Sequence, residues 1–189
     1  MPMIRLTMPA PDEYPSFYGT YMAHLADDKR DIVTILRAQG QQVLEGLKRI
    51  TDEQAEFRYA AGKWSVKEVV GHIIDTERLF AFRALWIARG EPNAQPGMDE
   101  NIWAANSNAG ARPRVELWKE HHVTRTNHLY LFRSFDEAAL ARRGDANNAT
   151  MIVKAVPWLM AAHELHHLKV LRDRYDVDFT EPVADPEQQ

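Results

Sequence analysis

Residues 65–90 decide the fold, and their sequence is SVKEVVGHIIDTERLFAFRALWIARG. Ser65 and Glu68 are spaced as a capping box, in which the serine hydroxyl accepts a hydrogen bond from a free backbone amide and the glutamate reaches back. The apolar residues that follow keep helical spacing, and Gly90 is a typical helix terminator. The stretch therefore predicts a long amphipathic helix that begins at Ser65 and ends near Arg89.

Three further segments place apolar residues along one helical face, at residues 27–50, 114–135 and 151–175. Residues 91–113 contain three Pro, two Gly and several Asn, which indicates a long connection with room for one short helix. No convincing strand pattern interrupts the series. The sequence therefore predicts an all-α fold, a four-helix bundle with a long crossover between the second and third helices.

The 189 residues are enough for one domain with a substantial core, and we expect a single domain over residues 1–189. Its helical core covers about residues 27–175. Residues 1–26 form an N-terminal arm, which three prolines should keep extended and which its aromatic side chains should pack. The acidic tail, residues 176–189, is expected on the surface or disordered.

Composition excludes several classes of function. The net charge of −4 offers no basic surface for a nucleic acid, so we expect none as a partner. The absence of cysteine excludes disulfides, thiolate metal sites and a cysteine nucleophile. No apolar stretch is long enough to span a bilayer, and the N-terminus lacks the apolar core of a signal peptide. We therefore expect a cytoplasmic protein without a membrane anchor.

Histidines interrupt the apolar stripe of the last predicted helix. His163 and His167 are four residues apart, so both rings project from one face, one turn apart. His72, about two turns into the helix that begins at Ser65, is placed to supply a third ligand. Three neutral imidazoles would bind one divalent metal ion and leave coordination positions open, which is typical of catalytic rather than structural sites.

The other reading of this pair is that both are ordinary core or surface histidines, because a pair at helical spacing is a weak signal by itself. His166 is a competing ligand, although it projects away from the stripe. The remaining histidines are expected to have no role in metal binding. His121, His122 and His128 are expected to be surface residues, and His24 is expected in a packing or hydrogen-bonding role.

Acidic residues near these histidines are candidates for proton transfer. Asp75 follows His72 by three residues and Glu164 follows His163 directly, so both are candidate general bases, and Glu77 lies on the same helix as Asp75. Each could instead orient a ligand imidazole or lie on a solvated face. Residues 163–167 also satisfy the H-E-x-x-H pattern, but a zincin would need a third ligand downstream, and no histidine follows His167.

Residues 62–77 resemble the signature second helix of the DinB/YfiT-like superfamily. The resemblance continues in residues 96–99, and in residues 162–167 with the 171–175 stretch that follows. It implies a four-helix bundle, often dimeric, with a three-histidine site for nickel, zinc or another divalent ion. His72, His163 and His167 match the family's ligand positions.

The resemblance also implies candidate activities. Members with an assigned activity are S-transferases and isomerases that use a low-molecular-weight thiol, and many others are described only as metal-dependent hydrolases or damage-inducible proteins. We therefore expect a small-molecule substrate and a homodimer. A transferase would need an external thiol, whose carboxylates Arg83 or Arg89 could bind. The alternative is a non-catalytic metal- or ligand-binding module of a stress response.

Overall fold

The computed structural model describes residues 7–177 and residue 179. The chain is mostly helical, with one small antiparallel hairpin. In chain order its helices and strands are α1 (Gly19–Met22), α2 (Ile32–Arg49), α3 (Asp52–Glu56), α4 (Val66–Ala88), α5 (Glu100–Asn106), α6 (Arg114–Arg133), α7 (Glu137–Leu140), β1 (Arg143–Ala146), β2 (Ala149–Ile152) and α8 (Val156–Tyr175).

Four of these helices, α2, α4, α6 and α8, form the predicted bundle. Each of α2 and α4 packs against both α6 and α8. Helices α2 and α4 therefore occupy one diagonal of the bundle, and α6 and α8 occupy the other. The connections from α2 to α4 and from α6 to α8 both run diagonally across the bundle. The long connection of residues 89–113, which we call the crossover, joins the neighbouring helices α4 and α6.

Helix α4 has the boundaries that its sequence predicts. The Ser65 hydroxyl accepts a hydrogen bond from the Glu68 amide at 3.3 Å, and the Ser65 amide donates to Glu68 Oε2 at 2.7 Å. Gly90 adopts φ +79° just after the helix, a left-handed conformation that favours glycine. The capping box and the terminator are both confirmed.

The crossover lies close against α4 beside His72. A short 3-10 turn, Ala109–Ala111, packs so tightly there that a Cβ atom on Gly71 would lie 2.6 Å from the Ala109 Cβ. Only glycine permits this approach. Gly71 therefore allows the crossover to pack directly against α4 next to His72.

The hairpin corrects two predictions. Strands β1 and β2 pair antiparallel around Asn147 and Asn148, whose φ angles of 53° and 58° give the turn that matches the twist of paired strands. Because the hairpin and a 3-10 turn occupy residues 143–155, α8 begins at Val156 rather than at residue 151. The expectations of no strand and of a helix from residue 151 were wrong.

Both ends of the described chain pack more closely than expected. Residues 16–25 form short helical turns rather than an extended arm, and they bury Met22 and Leu25. Val177 and Phe179 are buried, so the prediction of a surface or disordered tail was wrong for them. A Cβ on Gly46 would meet the Phe179 ring at 1.5 Å, so the glycine makes room for this ring. Residues 1–6, 178 and 180–189 lie outside the described residues.

The core consists of two clusters of buried side chains inside the bundle. One contains Phe80 and Ala162, and the other contains Ile73 and Leu168. Residues 163–167 of α8 therefore lie where the two clusters meet. None of the described helices is long and apolar enough to cross a bilayer.

Candidate metal centre

Helices α4 and α8 bring the three predicted histidines to one point. His72 Nε2 lies 3.1 Å from His163 Nε2, and His167 Nε2 lies 3.0 Å from His163 Nε2. The side chains of His72 and His163 are almost fully buried, whereas His167 is half-buried and leaves one side accessible. The four-residue spacing on α8 and the packing of α8 on α4 together assemble the group.

The separations fit a divalent ion better than they fit hydrogen bonds. An imidazole nitrogen carries either one proton or one lone pair, so His163 Nε2 cannot form good hydrogen bonds to two neighbours at once. Two nitrogens each about 2.0–2.1 Å from a shared ion lie about 2.9 to 3.4 Å apart for right-angled to tetrahedral arrangements. Both observed separations fall in this range, so the donor set suits a metal ion.

Burial keeps these rings neutral, which is the form that binds a metal. Desolvation lowers the pKa of His72 to about 4. The pKa values of His163 and His167 are also lowered well below the usual range, first by burial and then by repulsion from the neighbouring histidines. At neutral pH all three therefore present a free lone pair.

Aromatic side chains hold the rings in place. The Trp64 ring lies 4.9 Å from that of His72, and the Phe80 and Tyr21 rings lie 6.0 and 6.2 Å from that of His163, all measured between centroids. Thr76, one turn after His72, has a buried hydroxyl without a hydrogen-bond partner in the described part of the chain. This hydroxyl is therefore an unsatisfied buried polar group one turn from a candidate ligand.

The competing histidines lie elsewhere. The His166 ring packs against Tyr21 with a centroid distance of 4.5 Å and lies 6.3 Å from the exposed His24, so it faces the N-terminal turns, as its position on the helix predicts. His122 is exposed, as expected. His121 and His128 are buried, so the prediction that they are surface residues was wrong.

His121 and His128 belong to a buried ionic cluster centred on Arg125. Arg125 donates through Nε and NH2 to the two oxygens of Glu77 at 2.9 and 2.8 Å, and through NH2 to Glu164 Oε2 at 2.8 Å. His121 Nε2 lies 2.8 Å from the same Glu164 oxygen, and His128 Nδ1 lies 3.1 Å from Glu77 Oε1. We call these five residues the Arg125 cluster.

The Arg125 cluster ties the bundle together around the candidate metal centre. Arg125 is on α6, Glu77 is on α4 and Glu164 is on α8, and Arg125 NH1 also donates to the Leu36 carbonyl of α2 at 2.7 Å. Glu77, His121 and Glu164 are close enough to hold a metal ion by themselves. The guanidinium already occupies the cation position between the two carboxylates, so the cluster is best described as an ion network.

The two carboxylates and the guanidinium of the cluster stay charged at neutral pH. Burial by itself would raise the pKa of Glu77, but the charge of Arg125 and hydrogen bonds from His128 and Arg125 outweigh it and hold that pKa at about 2. Burial opposes ionisation of Glu164 too, and Arg125 and His121 together hold its pKa below the usual value. The paired carboxylates in turn raise the pKa of Arg125 against the effect of burial.

The two candidate general bases are not joined to the three histidines by any hydrogen bond or ion pair among the described residues. Glu164 is committed to Arg125 and His121. Asp75 lies against Arg78, with Oδ1 3.4 Å from NH1, and burial raises its pKa. Spacing along the chain did not distinguish these two acids. In the structure Glu164 belongs to an ion network, whereas Asp75 is half-buried in the middle of α4.

The two arginines considered for substrate carboxylates also differ. Arg83 is buried and donates to the Pro96 carbonyl at 3.0 Å. Arg89 is exposed and lies 5.9 Å above the Phe135 ring. Neither arginine is hydrogen-bonded to the three histidines within the described ranges.

We expect the Arg125 cluster to make the folded state sensitive to acid. Glu77 titrates near pH 2 when folded and near its ordinary value of 4.5 when unfolded, so the unfolded chain binds more protons between these values. The free energy of unfolding should therefore fall by on the order of 3 kcal/mol as the pH drops from 4.5 to 2. Urea titrations across this range measure the slope.

Glu77→Gln should flatten that slope, whatever its effect on the stability at neutral pH. Glu137→Gln, which removes an exposed acid of α7, is the matched control and should keep the wild-type slope. An unchanged slope in Glu77→Gln would mean that another group carries the acid sensitivity.

Sequence reasoning missed Arg125 altogether. A signal was present, because Leu117, His121, Arg125, His128 and Phe132 recur at intervals of three and four and form the buried stripe of α6. Polar residues on an apolar stripe indicate a buried network that must satisfy itself. This stripe is hard to recognise in the sequence because charged residues also occur on the exposed faces of α6.

Comparisons with known proteins identify the family of the chain. The sequence model of the DinB superfamily matches residues 35–171. A Geobacillus thermodenitrificans (strain NG80-2) protein, provisionally named a metal-dependent hydrolase, is 27% identical over 107 residues, which are 54% of this chain. The match spans 58% of that relative's length.

A solved structure shares the fold. YfiT from Bacillus subtilis, described as a probable metal-dependent hydrolase with an unusual four-helix bundle topology, superposes with a TM-score of 0.69 over 92% of this chain and 99% of its own. Only 16% of the residues are identical, so the likeness supports the fold alone. The all-α four-helix bundle predicted from the sequence is confirmed.

Proposed function

The chain belongs to the DinB superfamily, and from this premise we propose that it is a metal-dependent hydrolase whose ion is held by His72, His163 and His167. The convergence of three Nε2 atoms, with separations of 3.1 and 3.0 Å, carries this proposal. The name of the Geobacillus thermodenitrificans relative supports the reaction class. We expect zinc or nickel as the ion, because imidazole nitrogen suits both.

Three neutral protein ligands suit catalysis better than a purely structural role. Structural sites usually complete four protein ligands, whereas catalytic sites keep a position for water or substrate. A divalent ion bound here would supply Lewis acidity and lower the pKa of a water molecule. Because His167 is only half-buried, a small-molecule substrate would reach the ion from the exposed side of this ring.

The residues around the ligands have distinct tasks in this proposal. Trp64 and Phe80 restrain the imidazoles and exclude water from the buried side. Glu164 is a positioning residue, because its link to Arg125 fixes the turn of α8 that carries His163.

Asp75 is our candidate for the general base. Burial raises its pKa toward the range in which a carboxylate is a useful proton acceptor. Glu164 was the other candidate, and its lowered pKa and its ion pair with Arg125 make it a poor proton acceptor. Asp75→Asn separates these roles, since it removes the proton acceptor without touching the Arg125 cluster.

Hydrolysis of chromogenic substrates tests the proposal. We expect zinc- or nickel-loaded protein to hydrolyse at least one of p-nitrophenyl acetate, p-nitroacetanilide and bis(p-nitrophenyl) phosphate. Chelation should abolish turnover, and Asp75→Asn should lower kcat by about a hundredfold. Asp173→Asn, which removes a carboxylate from the exposed side of α8, is the control.

Each outcome of the assay has a defined meaning. Turnover that persists after chelation would contradict a metal-dependent hydrolase. Turnover that appears only when a small thiol is added would favour an S-transferase instead. The chain has no cysteine of its own, so this alternative needs an external thiol.

Three broader expectations accompany the proposal. We propose a single domain over residues 1–189, because both core clusters lie within one bundle. We propose a homodimer, supported by exposed aromatic side chains on two adjacent helices, Phe82 on α4 and Tyr130 on α6. We also propose a cytoplasmic location, supported by the lack of cysteine.

A further inference from the structure

A cavity of about 350 Å³ opens beside the candidate metal centre. It lies between α5 and the loop that precedes α4. We call it the Trp64 cavity. Its lining includes Arg58, Lys63, Trp64, Glu68, Asn101, Ala104 and Ala105. Small-molecule sites typically have volumes of about 300 to 1,000 Å³, so the cavity suits a small ligand.

The Trp64 cavity is linked with His72 by one ring contact and by two neighbours along the chain. The Trp64 ring, which forms one wall, lies 4.9 Å from the His72 ring between centroids. Glu68 lines the cavity one helical turn before His72, on the same face of α4. Asn101 follows Glu100, whose charge acts on His72. A ligand in the cavity would therefore lie next to the metal centre.

The polar groups of the cavity divide into paired and available ones. Arg58 donates to Glu68 and, at 2.7 Å, to the Lys63 carbonyl, so its charge is already compensated. The Lys63 ammonium forms no ion pair with a described residue, and the Asn101 side-chain amide has no hydrogen-bond partner in the same ranges. The uncompensated charge in the cavity is therefore positive.

The apolar part of the lining is flat and small. Trp64 supplies an aromatic face, and Ala104 and Ala105 present only methyl groups. An aromatic or other flat body can stack there while an anionic group reaches Lys63. The cavity thus combines one cationic group that has no ion pair with a described residue, one amide and one aromatic wall.

We infer that the Trp64 cavity binds the non-reacting end of a substrate that carries a carboxylate, with Lys63 and Asn101 as its recognition groups. As a substrate subsite this rests on the proposed function, because the substrate would have to extend past the Trp64 ring to the three histidines, none of which lines the cavity. As a carboxylate-binding site it stands on the cavity alone. The substrate class is therefore a small carboxylic acid with a hydrolysable bond a short distance from the carboxylate.

Fluorine NMR with two matched probes tests the inference. 4-Fluorobenzoate and 4-fluorobenzamide have nearly the same shape but differ in charge. We titrate each into zinc-free protein, so that the carboxylate has no metal to bind. We expect saturable binding of the benzoate, with the benzamide weaker by about tenfold.

Variants then assign the binding to this cavity. Lys63→Ala should weaken benzoate about tenfold and leave benzamide unchanged, whereas Lys119→Ala, at an exposed position on α6, should leave both unchanged. Ala105→Trp should block both probes, because it fills the cavity from an exposed position without disturbing the core. The inference would be overturned if the affinity for benzoate were unchanged in both Lys63→Ala and Ala105→Trp, or if no saturable binding were found. A tenfold preference for 4-fluorophenyl phosphate would overturn its carboxylate assignment.

A parallel zinc titration separates the two proposals. Protein that binds benzoate through Lys63 but takes up neither zinc nor, in the same titration, nickel supports the carboxylate site and refutes the metalloenzyme. Protein that binds zinc but no benzoate leaves the metalloenzyme intact and refutes the site.

Discussion

We expect His163→Ala to abolish metal binding. Wild-type protein purified without a histidine tag and loaded with zinc or nickel should hold about one ion per chain, and the variant should hold none. Nε2 of His163 lies about 3 Å from both other ligand nitrogens, so its loss leaves two donors that cannot enclose an ion. Loss of a residue that merely orients a ligand weakens metal binding 10- to 100-fold, roughly, so loss of a ligand should cost more than about a hundredfold.

Elemental analysis and competition with a chelator measure this effect. His72→Ala and His167→Ala should behave in the same way, and circular dichroism shows whether each variant remains folded. His167→Ala is the safest variant, because that ring is only half-buried. His166→Ala and His122→Ala are the controls, since neither ring joins the converging group. One ion per chain in all three ligand variants would refute the assignment of the site.

Arg125→Met should destabilise the fold by about 3–5 kcal/mol. The substitution leaves the Glu77 and Glu164 carboxylates buried, close together and without a cation, and it also removes a hydrogen bond to the Leu36 carbonyl. Removing one partner of a buried ion pair is costly because the remaining charge keeps its desolvation penalty. Urea unfolding at pH 7 measures the difference.

Arg133→Met is the matched control on α6. This arginine is exposed, so its loss should change the free energy of unfolding by less than about 0.5 kcal/mol. The combination Arg125→Met, Glu77→Gln and Glu164→Gln should recover part of the stability, because it removes the unpaired charges. If Arg125→Met does not fold, Arg125→Lys keeps the charge and should lose less. A loss below about 1 kcal/mol in Arg125→Met would show that the cluster contributes little.

These two predictions concern neighbouring parts of one assembly. Helices α4 and α8 supply the three histidines, and the same helices supply the two carboxylates that Arg125 joins. Glu77 follows His72 by five residues and Glu164 follows His163 directly. The ion network therefore holds together the two helices whose spacing sets the metal centre.

Features that depend on local chemistry could be predicted from the sequence. Ser65, Glu68 and Gly90 define the ends of α4, because capping and left-handed conformations depend on residues next to the terminus. Helical periodicity likewise put His163 and His167 on one face of α8. The fold class follows from four such amphipathic segments, which can bury their apolar faces only against one another.

The hairpin at residues 143–152 was missed although its signal is local. Asn147 and Asn148 adopt positive φ angles in its turn, a conformation that asparagine tolerates better than most residues. The strands are only four residues long, and their pairing competes with a helical pattern that continues from residue 151. Short elements of this kind are fixed by packing on α4, where β1 meets the end of the helix.

Which polar side chains meet depends on how the helices pack, and the sequence did not predict it in full. His72 and His163 are 91 residues apart, and the crossing of α4 with α8 brings their Nε2 atoms to 3.1 Å. The same packing assigns Glu164 to Arg125 and leaves Asp75 outside that network, a distinction that spacing along one helix cannot make. Periodicity fixes the face on which a residue lies, whereas its partner depends on which helix packs against that face, and this is set by the whole core.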